Sequence, residues 1–348
     1  MSIRTLLVRA LAVLAAVAAL RAEPPAAPPV PRSSGTPAPG EGGQPASAGP
    51  FTVVVLPDTQ YYTQKFPDTF HRQTAWIREN AAKENVAFVT QVGDIVENGA
   101  QVPEQWKVAD ESMAVLDGVV PWGVACGNHD YDTVNDPKGV ATEFPKHFGP
   151  DRFRGRPGYG GASGNGLNSV QYFTAGGREW QILHLEGDVP DTAIRWAEEA
   201  LAKRPGVPAI LTTHIYLHDV TKARKNKPQF RAADGNSGEQ IWDKLVRKQP
   251  QIFLVLCGHQ WVIGEWRQVS VNDAGRKVNE VLSDYQGRTN GGDGWLRLMR
   301  FDPGRNEISV RTYSPTLDKF ETDEDSEFTL ALDLPAASDS PPRHQDTK

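Results

Sequence analysis

The sequence predicts an α/β fold in which two β-sheets pack as a sandwich with helices on its outer faces. Three observations carry that prediction. Apolar runs of strand length alternate with segments of helical periodicity from residue 51 to 257. The opening reads β-α-β-α-β, which requires parallel strands joined by crossover helices. From residue 262 onward the chain breaks into short strands separated by turn residues, so an added β-rich part belongs to the same domain.

FTVVVL (51–56) is apolar throughout, as a strand covered on both faces must be. Phe70, Ile77 and Ala81, with Trp76 beside them, recur at helical spacing. VAFVTQV (86–92) is the second strand. Trp106, Ala109, Met113 and Leu116 mark a second helix, and VVPWGVAC (119–126) the third strand. A glycine-rich loop (155–168) leads to strands near 169–174 and 179–185, then to a helix through Ile194, Ala197 and Leu201. PAILTTH (208–214), a helix over SGEQIWDKLVRKQP and the strand QIFLVLC (251–257) follow. EVLSDYQ, WLRLMRF, EISVRTY and EFTLALDL are the later strands.

The two ends read differently. MSIR is basic, ALAVLAAVAAL (10–20) is apolar, and Ala22 offers a small residue for cleavage, so residues 1–22 have the layout of a secretory signal peptide. The apolar stretch is short for a bilayer span, and no stable membrane anchor is expected. Residues 23–50 are nearly all Pro, Ala, Gly and Ser, cannot bury apolar surface, and are expected to form a disordered linker. A tail at 335–348 reads alike, which leaves 51–334 as the folded domain. Loss of Arg4, Arg9 and Arg21 with the signal segment leaves 34 basic side chains against 43 acidic, a net charge of −9. Such a surface disfavours general binding to nucleic acid or anionic membrane. Cys126 and Cys257 make no disulfide framework and each ends an apolar run, as buried thiols do, although export would also allow a bridge.

The chemistry lies at the strand ends. Asp58 follows the first strand, Asp94 the second and Asn128-His129 the third, while His214 follows ILTT and His259 follows FLVLCG. A lone Asp or His at such a place is more often a turn or a hydrogen-bonded residue. Five strand ends that all carry oxygen or nitrogen ligands are another matter, because ligands in open α/β sheets bind outside the carboxyl ends of the strands.

The segments PDTQ, GDIVENG, GNHD, TTH and GH resemble, in this order, the signature of calcineurin-like metallophosphoesterases, D-x-H, G-D, G-N-H-D/E, H and G-H-x-H. The resemblance spans residue 51 to about 320 and implies a four-layer α/β/β/α sandwich with a dinuclear metal centre at its edge. It implies that Asp94 bridges two ions, that Asn128, His214 and His259 complete one of them, and that Asp58 belongs to the other. It places His129 beside the leaving group. The chain departs from the pattern at Gln60 and Trp261, both where the family has histidine, and both for the ion held by Asp58. Gln60 has an amide carbonyl to offer; Trp261 has no ligand atom. Glu97 stands where the purple acid phosphatase branch has a tyrosine ligand, and it either restores an oxygen ligand or is an ordinary loop carboxylate. The expected cofactors are two divalent or trivalent ions (Mn, Fe or Zn), with the Asp58 ion altered, weak or absent.

The resemblance implies hydrolysis of a phosphomonoester or phosphodiester by an activated water, with His129 as general acid. Asp130 either orients His129 or is a turn carboxylate. The rival is a binding module, or a mononuclear hydrolase, on a degenerate phosphoesterase scaffold. Candidate substrate contacts are His218 and the basic loop KARKNKPQFR (222–231), and Tyr285, Asn290, Asp293 and Trp295 in DYQGRTNGGDGW. His184, inside QILHLE, reads as a core residue rather than a ligand.

Overall fold

The computed structural model describes residues 49–334. The signal segment, the linker to residue 48 and the tail from 335 lie outside the described residues. β1 (Phe51–Leu56) sits where its apolar run predicts, with all six side chains buried. It pairs in parallel with β2 (Val86–Gln91), and β2 in parallel with β3 (Trp122–Val124). Helices α1 (Gln60–Lys65) and α2 (Pro67–Asn80) form the first crossover and α3 (Pro103–Ala114) the second. Pro67 and Pro103 open their helices, where a missing N–H costs no bond. Two helices that the sequence pattern does not announce follow β3, α4 (Glu143–Phe148) and α5 (Pro150–Phe153). Elements of one or two turns are too short to show a period.

The glycine-rich loop is partly strand: β4 (Tyr159–Ala162) pairs with β5 (Ser169–Ala175), and β5 with β6 (Arg178–Leu185). Then come α6 (Asp191–Ala202), β7 (Ala209–Thr213), a two-residue pair β8 (Leu217–His218) and β9 (Ala223–Arg224), α7 (Gly238–Lys244) and β10 (Ile252–Cys257). β11 (Glu265–Val271), β12 (Lys277–Ser283), β13 (Leu296–Asp302), β14 (Glu307–Ser314), β15 (Lys319–Glu321) and β16 (Glu327–Ala331) complete the domain. One sheet runs β15-β14-β13-β1-β2-β3 with β16 also on β14; the other runs β11-β12-β10-β7-β6-β5-β4. The parallel strands are β1, β2 and β3 in the first sheet and β6, β7, β10 and β12 in the second.

Three apolar layers hold these parts together. One lies between the sheets, where Phe51, Phe88 and Phe301 of one meet Phe173, Trp180 and Phe253 of the other. Phe51 stacks on Phe301 at 5.0 Å and lies 5.2 Å from Trp180. Phe51, Phe88, Trp180 and Phe253 sit near the amino ends of their parallel strands, so this aromatic cluster grips the end of the sandwich opposite the strand ends that carry the chemistry. Truncating such a ring typically costs about 3–5 kcal/mol. The second layer seats α2 to α5 on the first sheet through Phe70, Ile77, Trp106, Met113 and Phe148, and the third seats α6 and α7 on the second sheet. His184 lies between the sheets, fully buried and 2.9 Å from the Thr90 hydroxyl, as a core residue should. Cys126 and Cys257 are buried free thiols. Among the described residues no helix is long and apolar enough to cross a membrane.

Candidate metal centre

The parallel strands of both sheets point their carboxyl ends at one place, and the loops there are stitched to each other by backbone bonds. Thr59 N–H donates to the Asp94 carbonyl at 3.1 Å, joining the loops after β1 and β2. Gln91 accepts from Gly93 N–H at 2.8 Å and donates to the carbonyls of Gly93 and Pro57. Gly258 N–H donates to the His214 carbonyl at 3.1 Å, joining the loops after β7 and β10. Asp94 and His259 both take left-handed backbone angles, φ 51° and 71°. Asp and His tolerate this region better than most residues, and the sharp turn aims each side chain back over the sheet edge. At Gly127 and Gly258 a side chain is impossible without displacing a ligand: a Cβ at Gly127 would overlap Asp94 Oδ1, and one at Gly258 would overlap Asp58 Oδ1. The glycines of GN and GH are thus spacers for carboxylates on other strands.

Asp94, Asn128 and His214 converge as the motif pattern expects. His214 Nδ1 donates to the Val92 carbonyl at 3.0 Å, which turns Nε2 toward the cluster. That Nε2 lies 3.1 Å from Asp94 Oδ2 and 3.0 Å from Asn128 Oδ1. Ligand atoms of one octahedral shell with bonds of about 2.1 Å lie about 3 Å apart, so these three atoms already have the spacing of a coordination edge. His259 joins them: its ring meets that of His214 at 5.0 Å, and one ligand atom each from Asp94, His214 and His259 fall within 4.8 Å of one another. Burial and the neighbouring His214 push His259 well below the ordinary histidine range, so it stands neutral, the form that binds metal. Burial would raise Asp94, but the charges of His214 and His129 hold it below the usual carboxylate range.

The other half of the centre is built from oxygens. Asp58 is buried; its Oδ2 accepts from His259 N–H at 3.0 Å, and its Oδ1 has no hydrogen-bond partner. Gln60, at the start of α1, is buried too, and its Oε1 likewise has no partner. Its amide donates to Gln286 Oε1, and Gln286 in turn donates to Asp284 Oδ2 at 3.0 Å. Trp261 is absent from this region: it is 57% exposed and lies against Gly287. The gap is therefore not filled by its indole, the result a decayed site would have shown. Burial, then Asp284, then Asp94 push Asp58 well above its usual range, and burial pushes Asp284 up to about 7. Two buried carboxylates, with Asp58 Oδ1 and Gln60 Oε1 left without donors, fit a cation.

Asp284 and Gln286 are not among the residues that the motif pattern singles out. The strand-end rule applies to the first of them, because Asp284 directly follows β12, a strand parallel to β10. Glu97, by contrast, serves His129. The His129 Nδ1 lies 2.7 Å from the Glu97 carbonyl oxygen and 3.4 Å from Glu97 Oε2. The Glu97 Oε2 is a buried atom without a hydrogen bond, in the loop after β2.

His129 is anchored through both backbone and ring. Its N–H donates to Asp94 Oδ1 at 2.8 Å, and the Nδ1 contact to Glu97 leaves Nε2 as the nitrogen that faces outward. Burial lowers its proton affinity, but the Asp94 carboxylate and the Glu97 bond overcome this and raise it. Asp130 does not orient the ring. Both its oxygens serve backbone donors, Ile95 and Val96 at 2.8 and 3.0 Å and Gly127 at 2.8 Å, and so it ties the β2 loop to the β3 loop. Its role in the site is positional: its bonds run to the backbone of both loops, while the His129 ring is held by Glu97.

The candidate substrate contacts have the following surroundings. Tyr285 is buried, with its hydroxyl on Glu265 at 3.2 Å. Asn290 donates to Asp293 at 2.7 Å, and both have positive φ, so they shape the turn between β12 and β13. Trp295 is buried, and its carbonyl accepts from Gln73. A polar, glycine-rich turn before a strand looks the same in sequence whether it lines a pocket or closes a connection. His218 lies 3.6 Å from Asp219, apart from the ligand cluster. In the basic loop, Arg224 is paired with Glu280 and Arg231 with Glu186 and Asp234. Lys225 is the cation of that loop whose charge reaches His259. Tyr61, half-buried on α1, feels Glu97, Asp284 and Asp94 and stands at the rim.

The family model described as calcineurin-like phosphoesterase matches residues 51–262. An uncharacterised protein of Bacillus subtilis (strain 168), YvnB, is 36% identical over 299 residues, which cover 82% of this chain and 22% of that protein. The chain thus spans about a fifth of the length of this curated relative. Among solved structures, a dimetal phosphatase from Danio rerio aligns at a TM-score of 0.51 and 12% identity over 81% of this chain and 99% of that one. A purple acid phosphatase from yellow lupin (Lupinus luteus) seeds aligns at 0.50 and 12%, over 88% of this chain and 58% of that one. At such identities these two likenesses concern the fold: two mixed sheets with flanking helices.

Proposed function

The chain belongs to the calcineurin-like phosphoesterase family, and from that premise we propose that it is an exported, metal-dependent phosphoesterase that cleaves a phosphomonoester or phosphodiester with His129 as general acid. The observation that carries this reading is the placement of Asp94 Oδ2 and Asn128 Oδ1 at 3.1 and 3.0 Å from His214 Nε2, with His129 held against Asp94. Export rests on the layout of residues 1–22.

Two metal ions, when bound, supply positive charge to the phosphate oxygens and lower the pKa of an attacking water. Asn128, His214 and His259 would hold one ion and Asp58 and Gln60 the other, with Asp94 as the residue to be shared. His129 holds a proton on Nδ1 against the Glu97 carbonyl, which leaves Nε2 facing outward to pass a proton to the leaving oxygen. Lys225, with Nζ on Gln229 Oε1 at 2.5 Å, adds a cation on the His259 side that suits a phosphate group. Trp261, Val262 and Ile263, all exposed directly after the GH motif, give the approach an apolar border.

The deciding experiment is hydrolysis of bis-p-nitrophenyl phosphate and p-nitrophenyl phosphate after reconstitution with Mn, Fe or Zn, beside Asp94→Asn. Metal-dependent turnover lost by at least about a thousand-fold in the variant supports the proposal, and the preferred ester assigns the substrate class. Turnover that persists in Asp94→Asn, or that ignores metal, sinks it.

A further inference from the structure

We propose that Asp284 replaces the missing histidines, so that Asp58, Gln60, Asp94 and Asp284 form an all-oxygen site for a hard divalent cation beside the histidine-containing site. The inference rests on the hydrolase reading for where the cations sit, and goes beyond it in naming the ligand and the class of ion.

Topology brings Asp284 to the right place. β12 runs parallel to β10, with Leu282 opposite Cys257. Asp284 is the first residue past β12, as His259 is the second past the neighbouring β10, and the His259 N–H is bonded to Asp58. Asp284 is fully buried, and among the described residues it has no salt-bridge partner. Its Oδ1 and Oδ2 accept the Gln286 backbone and side-chain N–H groups, both at 3.0 Å.

The chain of amides then sets the direction of Gln60. A carboxylate only accepts, so the Gln286 NH2 must face Asp284 and the Gln286 carbonyl must face Gln60. The Gln60 NH2 is thereby committed to Gln286, and the Gln60 carbonyl is left over. That leftover Oε1 and Asp58 Oδ1 are the two buried oxygens of this half without donors. Buried acceptors are nearly always satisfied, and a cation satisfies both at once. Carboxylates and an amide carbonyl, with Gln60 and Trp261 in place of the two histidines, select Mg2+ or Mn2+ over Zn2+. The two halves of the centre therefore differ in hardness, and Asp284 is the residue that makes them differ.

The test is metal binding measured apart from turnover. Full-length protein is stripped with chelator, reloaded with Mn2+ and assayed by elemental analysis and electron paramagnetic resonance. Two Mn2+ per wild-type chain with a spin-coupled signal, falling to one uncoupled Mn2+ in Asp284→Asn, is the expected result. Gln60→Ala should keep both sites and weaken the same ion about 10- to 100-fold, which guards against a misfolded Asp284 variant. Two coupled ions retained in Asp284→Asn, or loss of one ion in Glu97→Gln instead, overturns the inference. A single ion in the wild type also overturns it while leaving the hydrolase reading intact; no ion at all overturns both.

Discussion

The two halves of the centre are built by the same backbone device and filled with different chemistry. On the histidine side, Asp94, Asn128, His214 and His259 stand at the ends of β2, β3, β7 and β10, and the strand-end motifs announce every one of them. On the carboxylate side, Asp58 is announced, Gln60 and Trp261 are departures from the pattern, and Asp284 is hidden in a segment with no motif. In both halves a glycine on one strand makes room for a carboxylate from another, Gly127 for Asp94 and Gly258 for Asp58. The architecture of a site can therefore persist while its ligands change, because the scaffold fixes where a side chain must end rather than which side chain it is.

That comparison can be broken most directly at its two glycines. Gly127→Ala should cost the most, since the new methyl collides with the shared Asp94: both ions and at least about a thousand-fold in rate are expected to go. Gly258→Ala should disturb Asp58 alone, so metal analysis should find the histidine-side ion still in place. Equal losses in the two variants would show that the halves do not act as separate units.

His129→Ala sharpens it next. A general acid contributes about 10²- to 10⁴-fold, and His129 offers no ligand to either ion, so the rate should fall by that range with metal content unchanged. The loss should shrink for an ester with a good leaving group. Loss of metal in step with activity would make His129 structural instead.

The smallest effect lies away from the centre, at His184. Burial lowers its pKa from 6.5 to about 3, so the unfolded chain binds the extra proton between those values. Its contribution is complete above pH 6.5 and is lost as pH falls; from pH 7 to 5 it amounts to roughly 2 kcal/mol. Thermal unfolding of His184→Gln should be less sensitive to acid than that of the wild type over this interval. Parallel curves would mean that the imidazole reaches solvent before the fold opens.

Periodicity and composition were sufficient for the sandwich because β1, β2, β7 and β10 are apolar throughout, and a run covered on both faces leaves few alternatives. They were sufficient for the histidine half because its ligands sit one or two residues past such runs. They were insufficient at α4 and α5, which are too short to show a period, and at Tyr285 and Trp295, whose side chains are buried in the packing. Asp130 illustrates the same limit: its place beside His129 in sequence suggested contact, whereas its oxygens are committed to Ile95, Val96 and Gly127.

The amino-acid sequence by itself determined the strand ends, the family and the kind of chemistry, since these depend on local pattern and on residue type. Only the tertiary structure decided that Trp261 faces solvent, that Glu97 braces His129 and that Asp284 stands beside Asp58. Those outcomes depend on the register between β10 and β12 and on which buried oxygen is left without a donor, and both are properties of pairs of segments distant in the chain.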